Sequence, residues 1–177
     1  YERVQNVARG AALMTECRVE IRFDKACSNL LQNRTLNRVM YAQMQALGPL
    51  TVDAGQHRIA GDFLATLSPS DVEHVSRPLA SVLRGKVPAI FDGLAPYDPT
   101  LDEVLSGSTD VADVSWVTPT VQAWVACYAF ATPLHSWQLV SQGKSGLAHA
   151  GMARAAQVLT ATAIALLDEP ELIAQAQ

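Results

Sequence analysis

The stretch from Glu16 to Asp24 constrains the fold of this chain more than any other. Its order, Glu-Cys-Arg-Val-Glu-Ile-Arg-Phe-Asp, alternates apolar Cys17, Val19, Ile21 and Phe23 with charged Arg18, Glu20, Arg22 and Asp24. Side chains along a strand point to opposite faces in turn, so the pattern predicts a β-strand with one buried face and one wet face. Such a strand suits an edge or an antiparallel pair, because a central parallel strand is apolar on both faces. Both neighbours read as helix. Val4, Val7, Ala8, Ala11 and Met14 share one stripe over residues 1–16, and Gly10 interrupts it only mildly. After a polar link, Thr35 can cap a helix that carries Leu36, Val39, Met40, Met44 and Leu47, and Gly48-Pro49 stops it. Helix, strand and helix over 1–47 predict part of a two-layer α+β unit. One strand alone is not a sheet. Its partners therefore come from elsewhere, or the unit is half a domain.

Further along, residues 49–67 are mixed, with a short helix expected around Asp62–Leu67. Ser68-Pro69-Ser70-Asp71 marks a helix start ahead of Val72, Val75, Leu79 and Val82. Residues 85–105 have no periodic run and read as a long irregular connection. Val121–Ala131 is apolar at nearly every position, the pattern of a strand covered on both faces, and Leu134–Val140 reads as a second strand. A long helix is expected from Leu147 or Ala148 to Leu167, its buried stripe running through His149, Met152, Ala156, Leu159, Ala163 and Leu166. Asp168-Glu-Pro170 ends it.

Composition narrows the function classes. The 177 residues are 49% hydrophobic and 17% charged, with a formal charge of -4, enough for a packed core and unlike a disordered chain. No basic cluster is interleaved with aromatics, which argues against nucleic acid as a partner. The apolar run Val121–Leu134, broken by Gln122 and Pro133, is too short to span a bilayer. Cys17, Cys27 and Cys127 are odd in number and far apart, so they read as core or free thiols. The chain opens on Tyr1-Glu-Arg-Val without an initiator Met or a signal pattern, and is expected to be a processed chain or a piece of something longer.

Chemistry-bearing residues concentrate between Ser106 and Met152. His149, in the first turn of the long helix, can ligate a metal or be a satisfied helix-start histidine. His135, in Pro133-Leu-His-Ser-Trp-Gln138, can line a pocket, orient a ligand, or end a strand. Asp110 and Asp113 lie in a Gly-Ser-Thr-Asp turn, where helix caps and Asx turns account for them as well as catalysis does. Thr109 and Ser108 can donate to a bound carboxylate. Trp116 and Trp137 can wall a pocket or pack in a core. Gly143-Lys144-Ser145 is not a phosphate loop, because residue 138, where the pattern needs its first glycine, is Gln. No HExxH, no His-x-Asp and no Glu-Glu pair occurs. A catalytic zinc needs three protein ligands, and the chain offers one or two.

Gly107–Gln122, His135-Ser-Trp-Gln138 and Gly143–Met152, together with Arg3–Thr15 upstream, resemble the C-terminal part of the metal-dependent amidohydrolases and peptidases of the aminoacylase and carboxypeptidase G type. The nearest members are those that hydrolyse aminobenzoyl-glutamate. The resemblance implies an α/β catalytic-domain portion, a sheet flanked by helices, over 48–177, preceded by the second half of an α+β lid or dimerisation domain over 1–47. It also implies a two-metal centre of zinc or manganese, with His149 the family's last metal ligand. Asp110, Asp113, Thr109, His135, Trp137 and Trp116 would be behind or beside it. The general-base glutamate and the other ligands lie upstream in such proteins, so no catalytic residue falls in this chain. The implied reaction is hydrolysis of an aminoacyl or aminobenzoyl-glutamate amide by the complete enzyme. The implied setting is cytoplasmic, as a homodimer through the lid or a hetero-oligomer with a related subunit. The alternative is an inactive truncated fragment, at most a structural or dimerising piece.

Overall fold

The structure, a computed structural model, describes residues 1–98 and 109–177. The described residues form helices joined by irregular chain, with no β-strand among them. The expected α/β sheet flanked by helices is therefore wrong, as is the α+β reading of the N-terminal unit. The reason is hydrogen-bond accounting. A helix satisfies its own backbone, whereas a strand needs a neighbour to complete its ladder. The alternating run 17–24 has none and follows α1 (Glu2–Met14) as irregular chain, with Val19, Ile21 and Phe23 exposed. The apolar run 121–127 is likewise irregular. The second expected strand is instead α7 (Trp137–Gln142), which Ser136 starts by accepting a hydrogen bond from the Leu139 amide.

Helix starts follow local capping chemistry. Asn33, two residues before the expected Thr35, caps α2 (Arg34–Leu47), and Gly48 ends it with φ 68°. Asp53 and Gln56 form a reciprocal capping box, so α3 (Ala54–Leu64) begins well before the expected Asp62. Ser68 caps α4 (Pro69–Ser76), as expected, and a short α5 (Ala80–Leu83) follows. Residues 86–98 carry no helix, and the remainder of the expected connection, 99–105, lies outside the described residues. Thr109 caps α6 (Asp110–Ser115). Ser145 caps α8 (Gly146–Asp168), and Pro170 opens α9 (Pro170–Ala176).

Helix α8 is the spine. It packs on α2 and α9, and α2 also packs on α9. Its buried face carries Leu147, Gly151, Val158 and Thr162, while Met152 and Leu159 of the expected stripe are more than half exposed. Apolar and small residues occur all round α8, so periodicity alone could not select the face. Thr162 tolerates burial because its hydroxyl donates to the Val158 carbonyl. By length and composition α8 is also apolar enough to cross a membrane, a test that core helices of soluble proteins pass as well. Arg154 gives it a second role. Its Nη1 donates to the carbonyls of Leu47 and Gly48, and Nη2 to that of Pro49. The guanidinium thus supplies donors, and a favourable charge, where α2 runs out of its own.

Two small clusters of buried residues form among the described residues. Ala60, Ile90, Ala129 and Leu147 form one, with Leu50, Val52 and Phe63 against it. Leu83, Phe130 and Ala131 form the other, with Val75, Leu79 and Phe91 around them. Gly151 lets α8 approach the run 121–127, since a Cβ there would meet the Ala126 carbonyl and come within 2.6 Å of the Cys127 Sγ. Replacing Gly151 by Val should therefore cost about 1–3 kcal/mol of stability in urea unfolding. Gly61→Ala, in a helix interior where a Cβ meets nothing within 4 Å, should gain about 0.5–1 kcal/mol. Arg154→Met, which keeps the apolar stem and loses the donors to three carbonyls, should cost about 2 kcal/mol in the same measurement.

Candidate functional site

The acidic turn anchors chain rather than forming a pocket. From the first turn of α6, Asp110 pairs with Lys25 at 3.3 Å and accepts from the Cys27 thiol at 3.6 Å. Asp113 accepts from the Ser28 amide at 2.9 Å, and Ser115 Oγ accepts from the Leu31 amide at 2.9 Å. Trp116 donates its indole N–H to the Asn29 carbonyl at 2.8 Å. Thr109 is occupied as the cap, accepting from the Val111 amide. The α6 side chains thus bind the irregular run 25–31, whose backbone has no helix or sheet to satisfy it. Ser108 lies outside the described residues.

Charge in this cluster follows the contacts. The Ser28 amide bonded to Asp113 holds its carboxyl below the ordinary value, with a smaller contribution from Lys25. Packing that strips water from the Cys27 thiol pushes it up, and the Asp110 carboxylate adds to the shift. A smaller fraction of the Cys27 thiol is thereby ionised than in a free cysteine.

Both candidate histidines face solvent. His149 is exposed in the first turn of α8, not on the buried stripe where periodicity places it. His135 is exposed with a left-handed φ of 60°, two residues before α7. Nearby in sequence is a buried polar network. Gln142 accepts from the Ala129 amide at 2.7 Å and donates to Thr132 Oγ1 and the Gln138 carbonyl, while Thr132 donates to the Ala129 carbonyl. This network fixes the turn 129–132, in which Ala131 also has φ 60°. Trp137 is mostly exposed and meets Phe63 at a ring separation of 6.2 Å. Among the described residues no three His, Cys, Asp or Glu side chains converge as a metal site would require.

A concavity lies elsewhere among the described residues. A groove of about 580 Å³ is walled by Phe91, Trp124, Tyr128 and Phe130, with Arg154 and Val158 of α8 among its lining. That volume falls in the range of small-molecule sites, about 300–1,000 Å³. Burial pushes the Tyr128 phenol and the Cys127 thiol up, so both are neutral at pH 7. None of Thr109, Asp110, Asp113, Trp116, His135, Trp137 and His149 lines this groove. Sequence reasoning missed Arg154 and Gln142. The available signals were a lone cation inside an alanine-rich helix and a glutamine four residues after Gln138, each requiring a polar partner once buried.

The chain resembles part of a known hydrolase. It is 41% identical over 186 residues to one of the subunits of the p-aminobenzoyl-glutamate hydrolase of Escherichia coli (strain K12), an alignment that takes in all of this chain. The chain spans 38% of that relative's length, its C-terminal part. The resemblance read from Gly107–Gln122 and its companion motifs is thus borne out. No family model matches the chain, and no solved structure matches it.

Titration of the Asp113 carboxyl should show a midpoint below the ordinary aspartate value. Its folded value is depressed, so its contribution is complete above the unfolded value and lost as pH falls through the folded one. Carbon-detected NMR of the carboxyl, followed with the Ser28 amide shift, checks both statements. A midpoint at or above the ordinary value would remove the Ser28 contact from the description.

Proposed function

We propose that the protein serves in hydrolysis of an amide of the aminobenzoyl-glutamate type, within an assembly of more than one kind of chain. The observation that carries this reading is the 41% identity running through the whole chain to one of the subunits of such a hydrolase. The groove supports it by its chemistry. Aromatic Phe91, Trp124, Tyr128 and Phe130 suit a flat benzoyl group. Trp116 and Trp137 are less suited, since one is held to Asn29 and the other lies against Phe63.

Amide hydrolysis needs an activated water and a polarised carbonyl, which zinc or manganese supplies in many hydrolases. The donor set of the described residues does not make a metal centre by itself. A metal would take from this chain at most His149, or His135 with its constrained backbone, and would require donors from outside the described residues. The chain's own part is binding and orientation.

Release of p-aminobenzoate from p-aminobenzoyl-glutamate, measured with zinc or manganese added, tests the reading. Activity and bound metal should fall together, by on the order of a hundredfold, in the variant of whichever histidine is a ligand. His149→Ala and His135→Ala are compared for that purpose, with unchanged helical circular dichroism as the control. Trp124→Ala should raise KM with little change in kcat if the groove holds the aromatic group. Turnover and metal content unaffected by every one of these variants would sink the proposal.

A further inference from the structure

Ala131 and His135, on either side of Pro133, both have φ 60°. Pro133 fixes its own φ and restricts Thr132 before it. Residues with a Cβ rarely adopt the left-handed conformation, alanine less readily than histidine, so the surroundings must hold Ala131 in it. Gln142, at the end of α7 and 2% exposed, supplies the hold. Its Oε1 accepts from the Ala129 amide at 2.7 Å, and its Nε2 donates to Thr132 Oγ1 at 3.2 Å and to the Gln138 carbonyl at 3.1 Å. Buried Thr132 closes the turn by donating to the Ala129 carbonyl at 2.7 Å. Past Pro133, Ser136 Oγ donates to the Pro133 carbonyl at 2.7 Å and caps α7. The backbone leading to His135 is thus pinned on both sides. Ala129, Phe130, Ala131, Thr132 and Leu134 also line the groove, so His135 follows directly on its wall. His149 stands in a regular helical turn that lines no part of the groove.

We propose that Gln142 is a positioning residue for His135. By clamping 129–132 it keeps the strained turn that sets the imidazole at the rim of the groove, beside the amide of a substrate whose aromatic end lies among Phe91, Trp124 and Phe130. The inference rests on the hydrolase reading and narrows it, because it makes His135, and not His149, the histidine that serves the substrate. Gln142 itself is enclosed, so its effect on a ligand passes through the backbone it holds. A buried amide needs a partner wherever it lies, and Gln142 answers that need at Ala129. That need alone would not require the second bond to Thr132, which ties the amide side chain to the residue before Pro133. A clamp of this kind orients a group before a ligand arrives, which is how a remote side chain affects turnover more than affinity.

Steady-state kinetics on p-aminobenzoyl-glutamate with the full protein, together with residual dipolar couplings by NMR, test it. Gln142→Met should lower kcat about tenfold and change KM by less than about twofold. The couplings of Thr132 and His135 should shift, while those of Leu36 and Ala148, held by caps elsewhere, should not. Gln142→Glu, of the same shape and able to donate when protonated, should recover most of the lost kcat. Thr132→Val, which keeps the shape and removes the hydroxyl from the clamp, should repeat the loss in smaller measure, and serves if Gln142→Met does not fold. In a His135→Ala background neither substitution should lower kcat further. Losses that add to that of His135→Ala would overturn the assignment. So would turnover that depends on His149 and not on His135. Turnover lost in His135→Ala but untouched by Gln142→Met and Thr132→Val would remove this inference and leave the hydrolase reading standing. Absence of turnover in the unaltered protein would remove both.

Discussion

Everything in the helical body is referred to the place where Arg154 reaches the end of α2. There a single guanidinium answers the carbonyls of Leu47, Gly48 and Pro49. A helix ends with carbonyls that have no partner within it, and burying them without donors is costly. By meeting them from within α8, Arg154 fixes the two helices side by side and allows the chain to turn at Gly48 into the first core. One turn earlier, Gly151 brings the same helix onto Ala126 and Cys127. One helix therefore sets the positions of α2, of α9 and of the run that walls the groove.

The same accounting explains why strand-like sequence stays irregular. Alternation at 17–24 and continuous apolarity at 121–131 state what a strand would bury, but they do not supply a neighbour to bond with. The described residues satisfy part of that demand with side chains. Asp113 and Ser115 accept from the amides of 28 and 31, and Gln142 accepts from that of 129. These substitutions are local and irregular, so they anchor chain at points and build no ladder. The result is a helical frame with two lengths of chain pinned to it.

Much of the helical structure was legible because its signals are local. Ser68 before Pro69, Gly48 after Leu47 and the polar turn before Gly146 act within one turn of the helix they start or stop. The candidate site was legible only as a set of residue types. Asp110 and Asp113 in a Ser-Thr-Asp turn fit caps, anchors and catalysis equally well, and the partner that decides among these, the run 25–31, is over eighty residues away. Periodicity assigns His149 to a buried face because α8 is small or apolar on every side, which leaves the pattern without contrast. The groove had no sequence signature, since Phe91, Trp124, Phe130 and Arg154 come together from separate elements.

The sequence by itself determined the start of α4, the stop of α2 and the kinship to a chain of a known hydrolase. Capping is chemistry between neighbours, and kinship is carried by residue identity. Tertiary structure alone decided that the alternating and apolar runs form no strand among the described residues, that Asp110 and Asp113 hold a tether, and that His149 faces solvent. Each of those outcomes depends on which distant group arrives to satisfy a backbone or a charge, and no spacing along the chain specifies that arrival.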